Sequence, residues 1–127
     1  PHIHQGTKNQ RYLTKRWTKV KKSAYQPVIE GMKMAVEKGT ATCIRTTYPI
    51  CGKTGTVENP GKDHSAFIGF APMTDPKIAV SVYIEHGGFG ADMAAPIAGL
   101  IIEAYLKGKL SPSSAAKAKQ LTAKKIR

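Results

Sequence analysis

A lysine and two threonines in one short segment offer the clearest chemistry in this sequence. Lys53, Thr54 and Thr56 lie in an apolar, β-branched run that ends at turn-forming residues 58–61. A lysine ammonium on a strand provides a fixed positive charge, and threonines two positions apart direct their hydroxyls to the same face. Gly55 between them lets another main chain come close, as when an extended peptide adds to a sheet edge. The pattern therefore indicates a strand that binds the carboxylate of a peptide.

The alternation of side chains along that strand sets a condition on its place in the fold. Lys53 and Thr54 are neighbours in sequence, so they point to opposite faces. Both can reach one substrate only where the strand borders a cleft at the edge of a sheet. We therefore expect an edge strand here.

The longer segment around these residues resembles a known family. Lys-Thr-Gly on a strand is one of the signatures of the penicillin-recognising serine enzymes. Residues 52–72, GKTGTVENPGKDHSAFIGFAP, are similar to the C-terminal part of class B transpeptidases of the penicillin-binding protein 2 type. The glycine-rich residues 87–90 before a helix follow in the order that the family shows. The resemblance covers roughly residues 12–106.

The resemblance implies a role for each residue of the motif. In the family, this strand pairs with the D-Ala-D-Ala end of a peptidoglycan stem peptide or with a β-lactam. By that resemblance, Lys53 supports proton transfer near the nucleophile, and Thr54 and Thr56 hold the carboxylate. Gly55 leaves room for the substrate backbone, and the amide N–H of Thr56 helps to form the oxyanion hole. No cofactor and no metal are implied.

Glu58 and His64 are the remaining titratable candidates near the motif. A glutamate and a histidine together could act as acid and base, but the sequence supplies no convincing nucleophile beside them. In the family, these positions flank the end of the active-site strand. We interpret both as structural or cleft-shaping residues.

The nucleophile that the family requires does not occur before the strand. The acylated serine belongs to a Ser-x-x-Lys motif and is accompanied by Ser-x-Asn, and neither lies upstream of Lys53. Ser114 and Lys117 form a literal Ser-x-x-Lys match, but they follow the last predicted helix in a basic tail with no dry pocket, so we reject them as catalytic. The resemblance thus implies a C-terminal fragment, inactive by itself, of a peptidoglycan DD-transpeptidase whose serine and membrane anchor lie upstream.

A helix is expected before the motif. Ser23 and Gln26 match a capping box and Gly39 closes the segment, which predicts a helix over about residues 24–38. Its apolar residues recur at helical spacing and form one stripe: Tyr25, Val28, Ile29, Met32, Ala35 and Val36.

Two strands and a second helix are expected after the motif. The strands are predicted over residues 65–71 and 77–85, and short connections favour an antiparallel meander. The helix is predicted to begin at Asp92 as N-cap and to end at Gly108. Its expected buried stripe is Met93, Ile97, Leu100, Ile101 and Ala104.

The basic residues are concentrated at the two ends of the chain. Residues 1–25 and 107–127 each carry seven Lys or Arg and no acid, whereas the middle has six basic and eight acidic residues. Such ends suit nucleic acid or an anionic membrane, which leaves a small basic binding module as an alternative. Aromatic residues are not interleaved with the basic tail, so we expect a solvated, poorly ordered tail and no nucleic-acid partner.

The cysteines and histidines give little support for a metal site. Cys43 and Cys51 are eight residues apart, so a disulfide would need a tight reversal, and Cys51 is expected to be a small buried strand residue. A zinc site lacks a third ligand at workable spacing. His2 and His4 are a weak metal signal.

These observations together predict an α+β fold. We expect an antiparallel sheet of three or more strands packed with two helices, from residue 23 to residue 108, between a basic extended segment over 1–22 and a basic tail over 109–127. The resemblance implies a parent protein in the bacterial inner membrane, facing the periplasm, which works with a membrane-embedded glycan polymerase. A DD-carboxypeptidase or β-lactamase relative is the enzymatic alternative. Exposed apolar surface is expected to make the chain self-associate.

Overall fold

The computed structural model describes Thr14 and residues 17–124. Most of the basic segment over 1–22, including the two N-terminal histidines, therefore lies outside the described residues. A 3₁₀ turn at Lys22–Ala24 leads into three helices and three strands: α1 (Tyr25–Glu37), β1 (Cys51–Val57), β2 (His64–Ala71), β3 (Ile78–Ile84), α2 (Ala94–Lys107) and α3 (Pro112–Ala123). None of these described helices has the length and apolar character needed to cross a membrane.

The three strands form an antiparallel meander, as the short connections predict. The sheet order is β1-β2-β3, so β2 lies in the middle. The register places Thr54 opposite Phe67 and Phe67 opposite Val82. Because facing residues of paired strands point to the same side of a sheet, these three side chains share one face.

The core lies between that face and α2. Phe67, Ala98 and Ile102 are fully buried or nearly so and belong to one apolar cluster. The other face is open beyond the end covered by α1, since Ile68 is 55% exposed and Tyr83 is 52% exposed. Of the two faces of β3, the one with the branched side chains is the more buried.

The predicted helix before the motif is present as α1, but its capping is different. The N-cap is Ala24, which makes no side-chain hydrogen bond, so the expected capping box is wrong. Gln26 instead donates to Glu30 at 2.9 Å, one turn further along the helix. The apolar stripe is buried only towards its end at Val36, while Tyr25 and Val28 are exposed.

The second predicted helix is present as α2, again with a different start and a shifted stripe. Met93, not Asp92, occupies the N-cap and offers no side-chain hydrogen bond. Gly108 ends the helix in the left-handed conformation (φ 71°), as expected of a C-terminal glycine. Alanines pack against the sheet where larger residues were predicted, and Ile101 is 44% exposed. The small side chains allow the helix to lie close to the strands.

The C-terminal tail contains a helix that the sequence did not predict. Pro112–Ala123 forms α3, where Ser111 is the N-cap and Pro112 is the first helical residue. Leu121 is buried, and Lys117 donates to the carbonyl of Cys43 at 2.7 Å. The expectation of a solvated, poorly ordered tail is therefore wrong over this range, because specific contacts fix a segment whose apolar pattern is weak.

Candidate active-site strand

The Lys-Thr-Gly residues lie at an edge of the sheet. β1 pairs with β2 along one side, and within residues 17–124 no strand lies along its other side. Lys53 and Thr56 are exposed, and Thr54 and Gly55 are half-buried. The strand thus has the edge position from which Lys53 on one face and Thr54 on the other can reach the same substrate. An exposed edge offers unpaired main-chain groups to which an extended peptide can add.

The two threonines share the face on which α2 packs. Thr54 pairs with Phe67 and Thr56 pairs with Ser65, both of which are buried on the core side. Lys53 pairs with Ile68, which is on the open face. The edge therefore carries hydroxyls on one side and an ammonium on the other, and both are within reach of a peptide that lies along β1.

Lys53 folds back onto its own strand. Its Nζ donates to the main-chain carbonyl of Thr54 at 2.7 Å. An ammonium has three donors, so two remain for other partners. The bond places the positive charge beside the strand edge, next to the residues that would hold a substrate carboxylate.

Thr40 is a contact of the motif that sequence reasoning missed. Its Oγ1 lies 2.6 Å from the Oγ1 of Thr54, fourteen positions away in sequence. When Thr40 donates, the hydroxyl hydrogen of Thr54 stays free for a carboxylate, which accepts but cannot donate. In that arrangement Thr54 can donate to an anion. No local pattern signals this contact, because it depends on how the segment after α1 turns back to β1.

The glycine-rich residues 87–90 pack directly on the motif. Gly90 is buried, and a Cβ there would lie 2.7 Å from the Gly55 carbonyl oxygen and 2.9 Å from Thr54 Cβ. It would also lie 2.6 Å from the carbonyl oxygen of Ala66. Real Cβ atoms do not approach that closely, so only glycine fits. The glycine-rich segment is thus packed on the sheet at Gly90.

His64 and Glu58 do not form an acid–base pair. Nδ1 of His64 accepts the main-chain N–H of His86 at 2.9 Å, and its ring lies against Tyr83 and His86 with centroids 5.5 and 4.9 Å away. Glu58 is exposed just beyond β1 and makes no ion pair within the described part of the chain. His64 therefore holds the turn after β3.

Ser114 and Lys117 have structural partners in place of a catalytic arrangement. Ser114 donates to the carboxylate of Glu103, and Lys117 is bonded to the Cys43 carbonyl. Both line an open groove of about 500 Å³ beside residues 42–46, and Lys53, Thr54 and Thr56 are not among its walls. A second groove of about 500 Å³ does not include these three residues either. The candidate site is thus an open strand edge.

The cysteines are free and unreactive in character. Cys51 is fully buried, as expected, and Cys43 is half-buried. Burial raises the pKa of both thiols, so both remain protonated at neutral pH. Among the described residues, no three His, Cys, Asp or Glu side chains converge to hold a metal ion.

Comparison with known proteins identifies the family. Residues 1–103 match the penicillin binding protein transpeptidase domain. The chain belongs to this transpeptidase family. The resemblance to the penicillin-binding protein 2 type is confirmed by relatives such as the peptidoglycan D,D-transpeptidase MrdA of Acinetobacter baumannii, 39% identical over 88 residues. That alignment covers 54% of this chain and 13% of MrdA. The peptidoglycan D,D-transpeptidase PbpA of Mycobacterium tuberculosis is 39% identical over 93 residues, with 65% of this chain and 18% of PbpA covered.

Solved transpeptidase structures share the fold. Penicillin-binding protein 2 of Pseudomonas aeruginosa, in complex with WCK 5153, gives a TM-score of 0.64 at 37% identity over 72% of this chain and 21% of that one. Penicillin-binding protein A of M. tuberculosis, solved as an imipenem acyl-enzyme complex, gives a TM-score of 0.60 at 35% identity. That alignment covers 68% of this chain and 20% of the solved one. The predicted α+β class is therefore confirmed. This 127-residue transpeptidase chain covers about a fifth of the length of each of these two solved chains.

Proposed function

We propose that this chain supplies the carboxylate-binding side of the active site of a peptidoglycan D,D-transpeptidase, which cross-links stem peptides in cell-wall synthesis and is acylated by β-lactams. The observation that carries the proposal is the edge strand β1, where the Lys53 ammonium and the Thr56 hydroxyl are exposed beside a half-buried Thr54. The similarity to the peptidoglycan D,D-transpeptidases MrdA and PbpA supports it.

Three residues of β1 have a proposed part in the reaction: Lys53, Thr54 and Thr56. The D-Ala-D-Ala end of a stem peptide lies along the strand, and the hydroxyls of Thr54 and Thr56 hold its terminal carboxylate. A serine from outside this chain attacks the carbonyl of the penultimate D-Ala, and the terminal D-Ala leaves. The Thr56 N–H stabilises the oxyanion, and Lys53 supports the proton transfers. An amine of a second stem peptide then takes the acyl group.

The same proposal gives the whole protein a cellular location and implies that the chain alone is inactive. We place the transpeptidase in the bacterial inner membrane, with this domain in the periplasm beside a membrane-embedded glycan polymerase. This setting rests on the family resemblance. Without an acylating serine, β1 alone binds a carboxylate only weakly, so we expect the 127-residue chain to be inactive by itself.

Mass spectrometry of intact protein tests the proposal. The chain and a longer natural protein that contains it are each incubated with excess penicillin. We expect the mass of one acyl adduct on the longer protein and none on the chain. An adduct on the chain would direct attention to Ser114 and overturn the inactivity, while a longer protein that stays unmodified would overturn the proposed function.

The role of Lys53 is tested in the longer protein by Lys53→Ala. If Lys53 supports proton transfer, acylation by penicillin slows by about a hundredfold, within the range for general acid–base groups. Lys119→Ala removes an equally exposed ammonium from α3 and serves as the matched control, with no change expected. Equal rates for the two variants would remove Lys53 from the mechanism.

A further inference from the structure

A serine beneath the active-site strand connects three parts of the site. Ser65 of β2 is fully buried and pairs in register with Thr56 of β1. Its Oγ donates to the carbonyl of Phe89 at 2.8 Å and accepts the main-chain N–H of Ala94 at 3.0 Å. One hydroxyl thus ties both ends of the segment 89–94 to the middle strand of the sheet.

The Ser65 hydroxyl gives the main-chain N–H of Ala94 a hydrogen-bond acceptor. Ala94 is the first residue of α2, where main-chain N–H groups lack acceptors within the helix. The side chain of the N-cap residue Met93 makes no capping hydrogen bond, and Ser65 caps the helix from the sheet instead. A buried N–H without an acceptor is costly, and loss of the hydroxyl therefore favours movement of the segment towards water.

The tied segment is the one that touches the Lys-Thr-Gly residues. Gly90 lies between the two bonded ends and rests on the Gly55 carbonyl and the Thr54 side chain, on the face shared by the two threonines. The hydroxyl that caps α2 thus helps to hold Gly90 against the sheet, together with the bond from the Ala95 N–H to the Gly90 carbonyl. Any lift of the segment removes packing from Thr54.

From this geometry we infer that Ser65 is a positioning residue for carboxylate binding. It holds the segment 89–94 against Thr54 and Gly55 and thereby fixes the Thr54 side chain in the orientation that receives the substrate carboxylate. The inference rests on the proposed function of β1. Ser65 acts through its neighbours and does not touch the substrate.

A comparison of two substrates separates positioning from general stability. In the longer protein, Ser65→Ala is tested with penicillin and with its methyl ester, which lacks the carboxylate. We expect the preference for the free acid, as the ratio of the two acylation rate constants, to fall by about threefold to tenfold, the range of one hydrogen bond. A role in stability alone slows both substrates equally and leaves the ratio unchanged, which would overturn the inference.

Two further variants sharpen the result. Ser65→Cys nearly preserves the volume but bonds weakly, so it should behave like Ser65→Ala if the hydrogen bonds matter. Full recovery of the ratio by cysteine would contradict the inference. Ser81→Ala makes the same change at an exposed position of β3 and is expected to leave the ratio unaltered.

A measurement independent of acylation distinguishes this inference from the proposed function. In nuclear magnetic resonance spectra of the intact chain, Ser65→Ala should shift the amide signals of Thr54, Gly55 and Gly90 and speed hydrogen exchange at Ala94, whereas Ser81→Ala should not. If the longer protein is never acylated, the proposed function fails, but these signals still show whether Ser65 positions the motif. Unchanged signals in Ser65→Ala would overturn the inference.

Discussion

At Gly90, a single added methyl group would disturb the candidate site. The position is buried, and the three atoms nearest to an added Cβ include two main-chain oxygens, those of Ala66 and Gly55. Main chain in a sheet cannot rotate away as a flexible side chain can. The segment must therefore lift from β1 when a larger residue is introduced.

We predict that Gly90→Ala destabilises the chain and displaces the segment. Overpacking of this kind typically costs about 1–3 kcal/mol, which denaturant unfolding would measure. Gly31→Ala provides the control, because a Cβ in that position of α1 meets nothing within 4 Å and should stabilise the helix by about 1 kcal/mol. A Gly90→Ala chain as stable as the wild type would show that the segment can yield without cost.

Single residues differ in how far the sequence reveals them. The shared face of Thr54 and Thr56 follows from strand alternation. The edge position follows because only at an edge can Lys53 and Thr54, on opposite faces, contact the same substrate. Thr40 and Ser65 could not be found in this way. Thr40 contacts a partner fourteen positions away, and the two bonds of Ser65 reach residues 24 and 29 positions away, so both depend on the three-dimensional register.

At the scale of elements, one buried carboxylate joins α2 to α3. Glu103 is 6% exposed and accepts hydrogen bonds from the Ser114 hydroxyl, from the Ser111 N–H and from Lys107. The Ser114 hydrogen bond, above all, lowers the pKa of Glu103, and burial opposes this in part. Because the folded-state pKa is below that of the unfolded chain, Glu103 stabilises the fold at neutral pH. That contribution declines once the pH falls below the ordinary glutamate pKa of about 4.3 and is lost below the lowered folded-state value.

We predict that Glu103→Gln lowers the free energy of unfolding at pH 7 by about 1–3 kcal/mol, since hydrogen bonds to a charged group are lost in a buried place. The free energy of unfolding of the variant should also fall less steeply than that of the wild type between about pH 5 and pH 3, the range in which a glutamate titrates. Urea unfolding at several pH values measures both effects. Glu37→Gln, at an exposed i,i+4 pair with Lys33, should change stability by no more than about 0.5 kcal/mol. Parallel pH profiles for the wild type and Glu103→Gln would contradict the assignment.

Elements with strong periodicity or clear end signals were predictable, and the docked tail helix was not. The bounds of α1, β2 and β3 agree with the sequence to within about two residues, a usual margin for element ends. The N-caps of α1 and α2 were predicted wrongly. At α2 the reason is a tertiary partner, because Ser65 of the sheet accepts the N–H of the first helical residue in place of a local cap. The helix α3 has few apolar residues, and its place depends on contacts to α2 and to the Cys43 carbonyl.

At the scale of the whole molecule, the open face of the sheet and the start of α1 leave apolar side chains in water. Ile68 and Tyr83 are more than half exposed on neighbouring strands, and Val28 of α1 is exposed as well. Exposed apolar side chains of this kind favour association. We therefore expect self-association to occur through this surface.

We predict that the chain forms oligomers as its concentration rises, and that Ile68→Lys together with Tyr83→Lys shifts the equilibrium towards monomer. Light scattering over a range of concentrations measures both. Thr122→Lys adds a charge at an exposed position of α3 and should leave the association unchanged. A monodisperse monomer at high concentration would count against the prediction.

The docking of α3 also bears on the order in which the molecule acquires its structure. The three strands are consecutive and pair with their neighbours in sequence, so they close short loops and can zip together early. The bond from Lys117 to Cys43 joins residues 74 positions apart, which makes it one of the slowest contacts to be reached. During synthesis α3 leaves the ribosome after every element on which it docks, and we expect its arrival to be a late step that completes an already folded sheet.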